Sequence, residues 1–208
     1  MTIDKSLLFK SHIWNAAAEA EKIDTQLSKI MPNVGGPRED RRRLLSSVVH
    51  SVLLYGAPSW GHTLGVAPVN VKLLNRTQRK ILLRCTSAYC TVLEVASNVL
   101  SSTPPYNLLA RERKAEFDVR RTGQDGLPRN ELKRLTVAKW QARWDDVGPE
   151  SPGQWTRRLI PNLTKWCARG FGRVDFHLSQ FLSGHGCFGK YLCLEKSSIP
   201  CVLTVRTH

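Results

Sequence analysis

The stretch that most limits what this chain can become is residues 38–62, REDRRRLLSSVVHSVLLYGAPSWGH. It follows a Gly35-Gly36-Pro37 break. A proline after a flexible break suits the first position of a helix, where its missing N–H would have had no partner anyway. Leu44, Leu45, Val48, Val49, Val52 and Leu53 then recur at helical spacing, which predicts one apolar stripe turned to a core. Tyr55-Gly56-Ala57-Pro58 should end the helix. Glycine stops a helix cheaply, and Pro58 pushes Ala57 out of the helical region. Trp60 follows at once, a large ring placed to pack at the corner. Periodicity by itself supports a helix hairpin in an α-helical domain.

On either side the pattern stays helical. Residues 10–31 carry Ile13, Ala17, Ala20, Leu27 and Ile30 on one side. Residues 32–37, PNVGGP, read as a loop. Residues 69–88 predict a third helix with Val69, Leu73, Leu74, Ile81, Leu82 and Cys85 as its apolar side. Its other side carries Lys72, Arg76, Arg79, Lys80 and Arg84, and no acid occurs between Gly61 and Leu93. The local sequence therefore predicts an uncompensated basic face. A charge run is usually only a solvated face, but a single sign favours phosphate contact, since neutralising phosphates supplies most non-specific affinity. Residues 91–100 form a shorter helix, and Pro104-Pro105 opens another that runs toward Arg121. The linker 123–128, GQDGLP, divides the chain into regions 1–122 and 128–208.

The charge balance points the same way. The chain of 208 residues has 31 Lys plus Arg against 17 acids, a net +14, which argues for a polyanionic partner, RNA or DNA more readily than membrane. No run approaches a transmembrane helix, the start opens no signal peptide, and six scattered cysteines make no secreted disulfide framework. An intracellular place, nucleus or cytoplasm, is expected. Beyond the linker Trp140, Trp144, Trp155 and Trp166 stand among bases that include Arg157 and Arg158. Such interleaving suits stacking on nucleic acid, and equally suits tryptophans that anchor a small core.

Chemistry for catalysis is sparse. Asp145-Asp146 is the one adjacent acid pair, and two carboxylates can hold Mg²⁺ for phosphoryl transfer. Its setting, RWDDVGPES, is a helix end before a Gly-Pro turn rather than a hairpin between apolar strands. His185, Cys187, Cys193, Cys201 and His208 could ligate zinc, but no C-x₂-C pair places two thiolates on one metal. No catalytic residue, resident metal or cofactor is expected.

Several blocks resemble, in order, the thumb and C-terminal region of non-LTR retrotransposon reverse transcriptases, especially their jockey-like branch. Thr2-Ile3-Asp4 with Leu8-Phe9 and His12-Ile13 is similar to the block just past the palm. SVLLYGAPSW, LNRTQRKILLRCTSAYCTV and Leu108 to Arg113 (LLARER) resemble the thumb and the segment after it. Trp140-Gln141, Gly153-Gln154-Trp155-Thr156, Leu159-Ile160-Pro161 and the run FHLSQFLSGHG are similar to the C-terminal region. The resemblance implies a part of an RNA-directed DNA polymerase that grips template–primer duplex and target DNA beside an upstream palm. The palm aspartates that bind Mg²⁺ in that family precede the matched blocks. Cys201 stands where a Cys-Cys-His-Cys knuckle begins, with Thr204 in place of its second cysteine.

The expected fold is mostly α: a helical thumb-like bundle over about 10–122, then a smaller helical region over 128–192. Minor strand content is expected near 2–7 and 201–205. Phosphate contact is expected at Lys72, Arg76, Arg79, Lys80 and Arg84, and next at Arg157 and Arg158. The alternatives are a free-standing basic helical module that binds nucleic acid, or a non-functional remnant of a mobile element.

Overall fold

Prolines mark several of the helix starts in the computed structural model, which describes residues 5, 7–122, 127–146, 148, 151, 153–169 and 174–185. α1 is Lys10–Ser28, α2 Glu39–Leu53 and α3 the single turn Ala57–Trp60, continued by a 3₁₀ turn over Gly61–Gly65. α4, Pro68–Cys85, has its proline at the first position, where no N–H is needed. α5 is Glu94–Leu100, α6 Tyr106–Thr122 and α7 Arg129–Asp145, with Pro128 as its N-cap. Three short helices follow: α8 Gln154–Leu159, α9 Leu163–Ala168 and α10 Phe176–Ser183. The fold is mostly α, and no strand occurs among the described residues. Residues 201–205 and most of 2–7, where strands were expected, lie outside them.

The first core joins α1, α2 and α4, with α3 laid on α6. Ile13, Ala17 and Ala20 from α1 meet Val49 and Leu53 from α2, and Leu74, Ile81 and Leu82 from α4. Burying each large aliphatic side chain contributes about 1.5–3 kcal/mol. Gly56 takes φ +66° at the corner, a conformation open to glycine without a Cβ clash. Trp60 is fully buried there, and its Nε1 donates to the Tyr55 carbonyl at 2.9 Å. Gly61 lies so close to α6 that an added Cβ would stand 2.8 Å from the Ala110 carbonyl oxygen.

The apolar stripe predicted for α2 fails at two of its six residues. Val49 and Leu53 are buried and Leu45 and Val52 partly so, but Leu44 is 70% exposed and Val48 47%. The inward row is Arg42, Ser46, Val49 and Leu53. The helix is turned this way by Arg42, whose guanidinium enters the core edge and donates to backbone carbonyls. Nε reaches Pro37 at 2.7 Å, Nη1 reaches Arg84 at 2.8 Å, and Nη2 reaches Pro32. Nη1 also stands 3.5 Å from the Met31 carbonyl. The loop 31–37 is thus held from inside by a side chain that follows it in sequence.

Another polar side chain fixes where α6 begins. Gln78 is fully buried in α4; its Nε2 donates to the Pro104 carbonyl at 2.8 Å, and its Oε1 accepts the Tyr106 N–H at 2.9 Å. Tyr106 Oη donates to His50 Nδ1 at 2.6 Å, which takes the imidazole as neutral. Burial, and secondarily the Arg113 charge, pushes the His50 pKa down to about 4.

The second core straddles the linker. Trp140 and Trp144 of α7, Ile160, Leu163 and Leu182 pack with Val92, Ala96, Val99 and Leu100 around α5 and with Leu108 of α6. Residues 123–126 are outside the described part of the chain. The region after them has no core of its own among the described residues, because α5 and the ends of α4 and α6 supply half of it.

Candidate nucleic-acid interface

The five cations of α4 fall into two groups. Lys72 and Arg76 are exposed and make no ion pair among the described residues. The other three are engaged. Lys80 Nζ stands 2.6 Å from Glu21 and Arg84 Nε 2.9 Å from Asp24, both acids of α1. Arg79 donates Nε to the Val92 carbonyl at 2.9 Å and Nη2 to the Cys90 carbonyl, holding the turn that leads into α5. The expectation of an uncompensated face therefore needs correction. Compensating acids are absent locally but arrive from a helix that precedes the cations by about 60 positions in the chain.

Arg157 and Arg158 divide in the same manner. Arg157 Nε donates to the Trp144 carbonyl at 3.1 Å, and its guanidinium lies 4.5 Å from the centroid of the Trp144 ring. Arg158 is exposed on α8. The tryptophans serve mainly as core anchors. Trp140 and Trp144 are buried; Trp144 Nε1 donates to Ile160 at 2.9 Å and Trp166 Nε1 to Val99 at 2.6 Å. Trp155 stays 39% exposed, although its Nε1 donates to the Phe181 carbonyl at 2.7 Å.

Asp145 is the last residue of α7, and its carboxylate accepts from Gln141 Nε2 at 2.8 Å. No group of three His, Cys, Asp or Glu side chains able to hold a metal occurs among the described residues. The Asp145-Asp146 pair does not fit a polymerase Mg²⁺ site, which needs further donors beside it. Cys187, Cys193, Cys201 and His208 lie outside the described residues, while His185 Nδ1 is 2.9 Å from the Ser183 carbonyl. Among the described residues no helix is long and apolar enough to cross a membrane.

One arrangement escaped the sequence reading. Glu116 of α6 accepts from two arginines, Arg120 at 2.7 Å and Arg129 at 3.2 Å. Beside them the rings of Tyr55 and Phe117 are exposed along an open groove. The signal was present as the spacing of Arg113, Phe117 and Arg120 along one side of α6.

The geometry thus defines a basic, mostly α protein with exposed cations on α4, α6, α7 and α8. Over 92% of its length the chain is similar, at 28% identity, to the 115 kDa protein in the type-1 retrotransposable element R1DM of Drosophila melanogaster. It spans 20% of that relative's length. The likeness supports an origin in a retrotransposable element. No protein-family model matches the chain, and no solved structure matches it.

Proposed function

We propose that the chain is the thumb and C-terminal part of a non-LTR retrotransposon reverse transcriptase, and that it holds the backbone of a template–primer duplex or target DNA. The observation that carries this reading is the similarity over 92% of the chain to a retrotransposable-element protein. The blocks of SVLLYGAPSW and its successors add order along the chain, and the net +14 supplies the affinity for a polyanion. Polymer synthesis itself is assigned to the upstream palm of the parent protein. Within the matched part, Lys72 and Arg76 are the side chains best placed for phosphate, since they are exposed and make no ion pair among the described residues. Arg158 is a further contact. Arg79, Lys80, Arg84 and Arg157 contribute charge while holding the fold.

A salt titration of binding to a mixed-sequence RNA–DNA duplex tests the reading. Replacing Lys72 and Arg76 together by Ala should lower the slope of log affinity against log salt by about two units, one for each lost phosphate contact. Helicity should not change, because neither side chain is buried. Equal affinity and slope in the two folded proteins would leave this face as solvated surface and defeat the proposal.

A further inference from the structure

The groove between the end of α2, the Gly56 corner and α6 has no role in the duplex grip just described. It is open, with a volume of about 460 Å³. Arg113 closes one side, its Nη1 donating to the Leu54 carbonyl at 3.2 Å, so its guanidinium is fixed against the corner. On the other side the single carboxylate of Glu116, 19% exposed, faces the guanidiniums of Arg120 and Arg129, which are 71% and 66% exposed. Three positive charges meet one negative charge, so the groove keeps a surplus of two. Tyr55 and Phe117, 64% and 46% exposed, offer ring surface in the same groove.

We infer that this groove is a second nucleic-acid site, specific for single-stranded RNA or DNA, in which a base stacks on Tyr55 and Phe117 while Arg120 and Arg129 take its phosphates. The inference rests on the proposed nucleic-acid function but concerns a surface separate from Lys72 and Arg76. A duplex cannot use such rings, because its bases are already stacked on one another; an unpaired strand can splay a base onto them. Each guanidinium carries five N–H donors, so both arginines can reach a phosphate with one edge while another edge stays on the shared carboxylate. A neutral apolar partner would gain nothing from the surplus charge, whereas a polyanion would.

The test uses the full chain and two labelled probes read by fluorescence anisotropy. One is an oligonucleotide of about 12 nucleotides, within the range bound by known single-strand sites; the other is that strand annealed into an RNA–DNA duplex. Tyr55→Ala/Phe117→Ala should weaken single-strand binding about tenfold or more, since stacking is lost at each ring, and leave duplex binding within about twofold. Folding is not at stake at Tyr55, because Trp60 and His12 bond its backbone carbonyl and its exposed ring makes a tilted contact with His12 at a centroid distance of 6.3 Å. Tyr55→Phe keeps the ring and should bind like wild type. Lys72→Ala/Arg76→Ala should show the reverse pattern, with the larger loss on duplex. Unchanged single-strand affinity in the double ring variant, equal losses on both probes, or a Tyr55→Phe as weak as the alanine protein would each overturn the stacking site. Wild-type binding to duplex but not to single strand would overturn it while the proposed function stands; binding to neither probe would end both.

Discussion

The first core is closed by a cation, the second by tryptophans. Around α1, α2 and α4 the aliphatic packing is finished at its edge by Arg42, which bonds carbonyls from the preceding loop and from the end of α4. Around α5 and α7 the short helices are joined by indole N–H groups, from Trp144 to Ile160 and from Trp166 to Val99. Guanidiniums stack on those same rings: Arg157 at 4.5 Å from Trp144, and Arg169 at 3.5 Å from Trp166. Long helices can pack by repeated contacts along their length and need a polar tie only where the chain crosses over. Helices of six to eight residues, such as α8, α9 and α10, offer about two turns each and are placed by single large side chains.

That contrast can be broken most directly at Arg42. Arg42→Met keeps the aliphatic bulk and removes every donor, so the carbonyls of Pro32 and Pro37 lose the guanidinium and that of Arg84 keeps the Ser87 N–H alone. The expected loss is about 4 kcal/mol, read from the midpoint of urea unfolding. A loss below that of the tryptophan variants would show that the aliphatic packing needs no such tie.

A smaller effect, of opposite character, is expected from acid. His50 is held at about 4 in the folded chain against 6.5 in the unfolded one, so between these values the unfolded state binds the extra proton. Its contribution to stability is complete above pH 6.5 and is lost as pH falls through this window, by about 3 kcal/mol at the lower end. His50→Gln, whose amide can still accept from Tyr106, should flatten this part of a stability–pH curve. An unchanged slope would mean that other groups carry it.

The smallest effect compares the two indoles. Trp60→Phe leaves the Tyr55 carbonyl with His12 Nε2, 3.2 Å away, whereas Trp144→Phe strips the buried Ile160 carbonyl of the indole donor. Both lose ring volume, so Trp144→Phe should cost more by about 1 kcal/mol in denaturant unfolding. Equal costs would remove the distinction drawn between structural tie and packing ring.

The sequence makes helices legible where punctuation is strong and faces illegible where partners are remote. Pro68, Pro104-Pro105 and Pro128 mark three starts, and Gly56 marks the corner, because these residues restrict or free the backbone without help from neighbours. Hydrophobic spacing misplaced two of the six residues of the α2 stripe, since Leu44 and Val48 fit the period as well as Arg42 and Ser46 fit the interior. The carbonyls of Pro32, Pro37 and Arg84 make an inward arginine favourable, and none of them can be assigned from residues 38–53 alone. For the candidate site the limit is the same. Counting acids from Gly61 to Leu93 found none, yet Glu21 and Asp24 reach Lys80 and Arg84 through space. The tryptophans left two readings open because interleaved bases look alike whether a ring is stacked or buried; three-dimensional packing chose the core for Trp140 and Trp144.

The clamp of Gln78 on Pro104 and Tyr106 has a consequence for folding. Helix initiation is the costly step, because several residues must be fixed before the first bonds form. In α6 one of the unpaired first-turn N–H groups, that of Tyr106, is satisfied by a side chain that is correctly aimed only once α4 has wound past residue 78. The start of α6 is therefore coupled to α4: a chain wound past residue 78 favours the first turn of α6, and one unwound there takes that partner away.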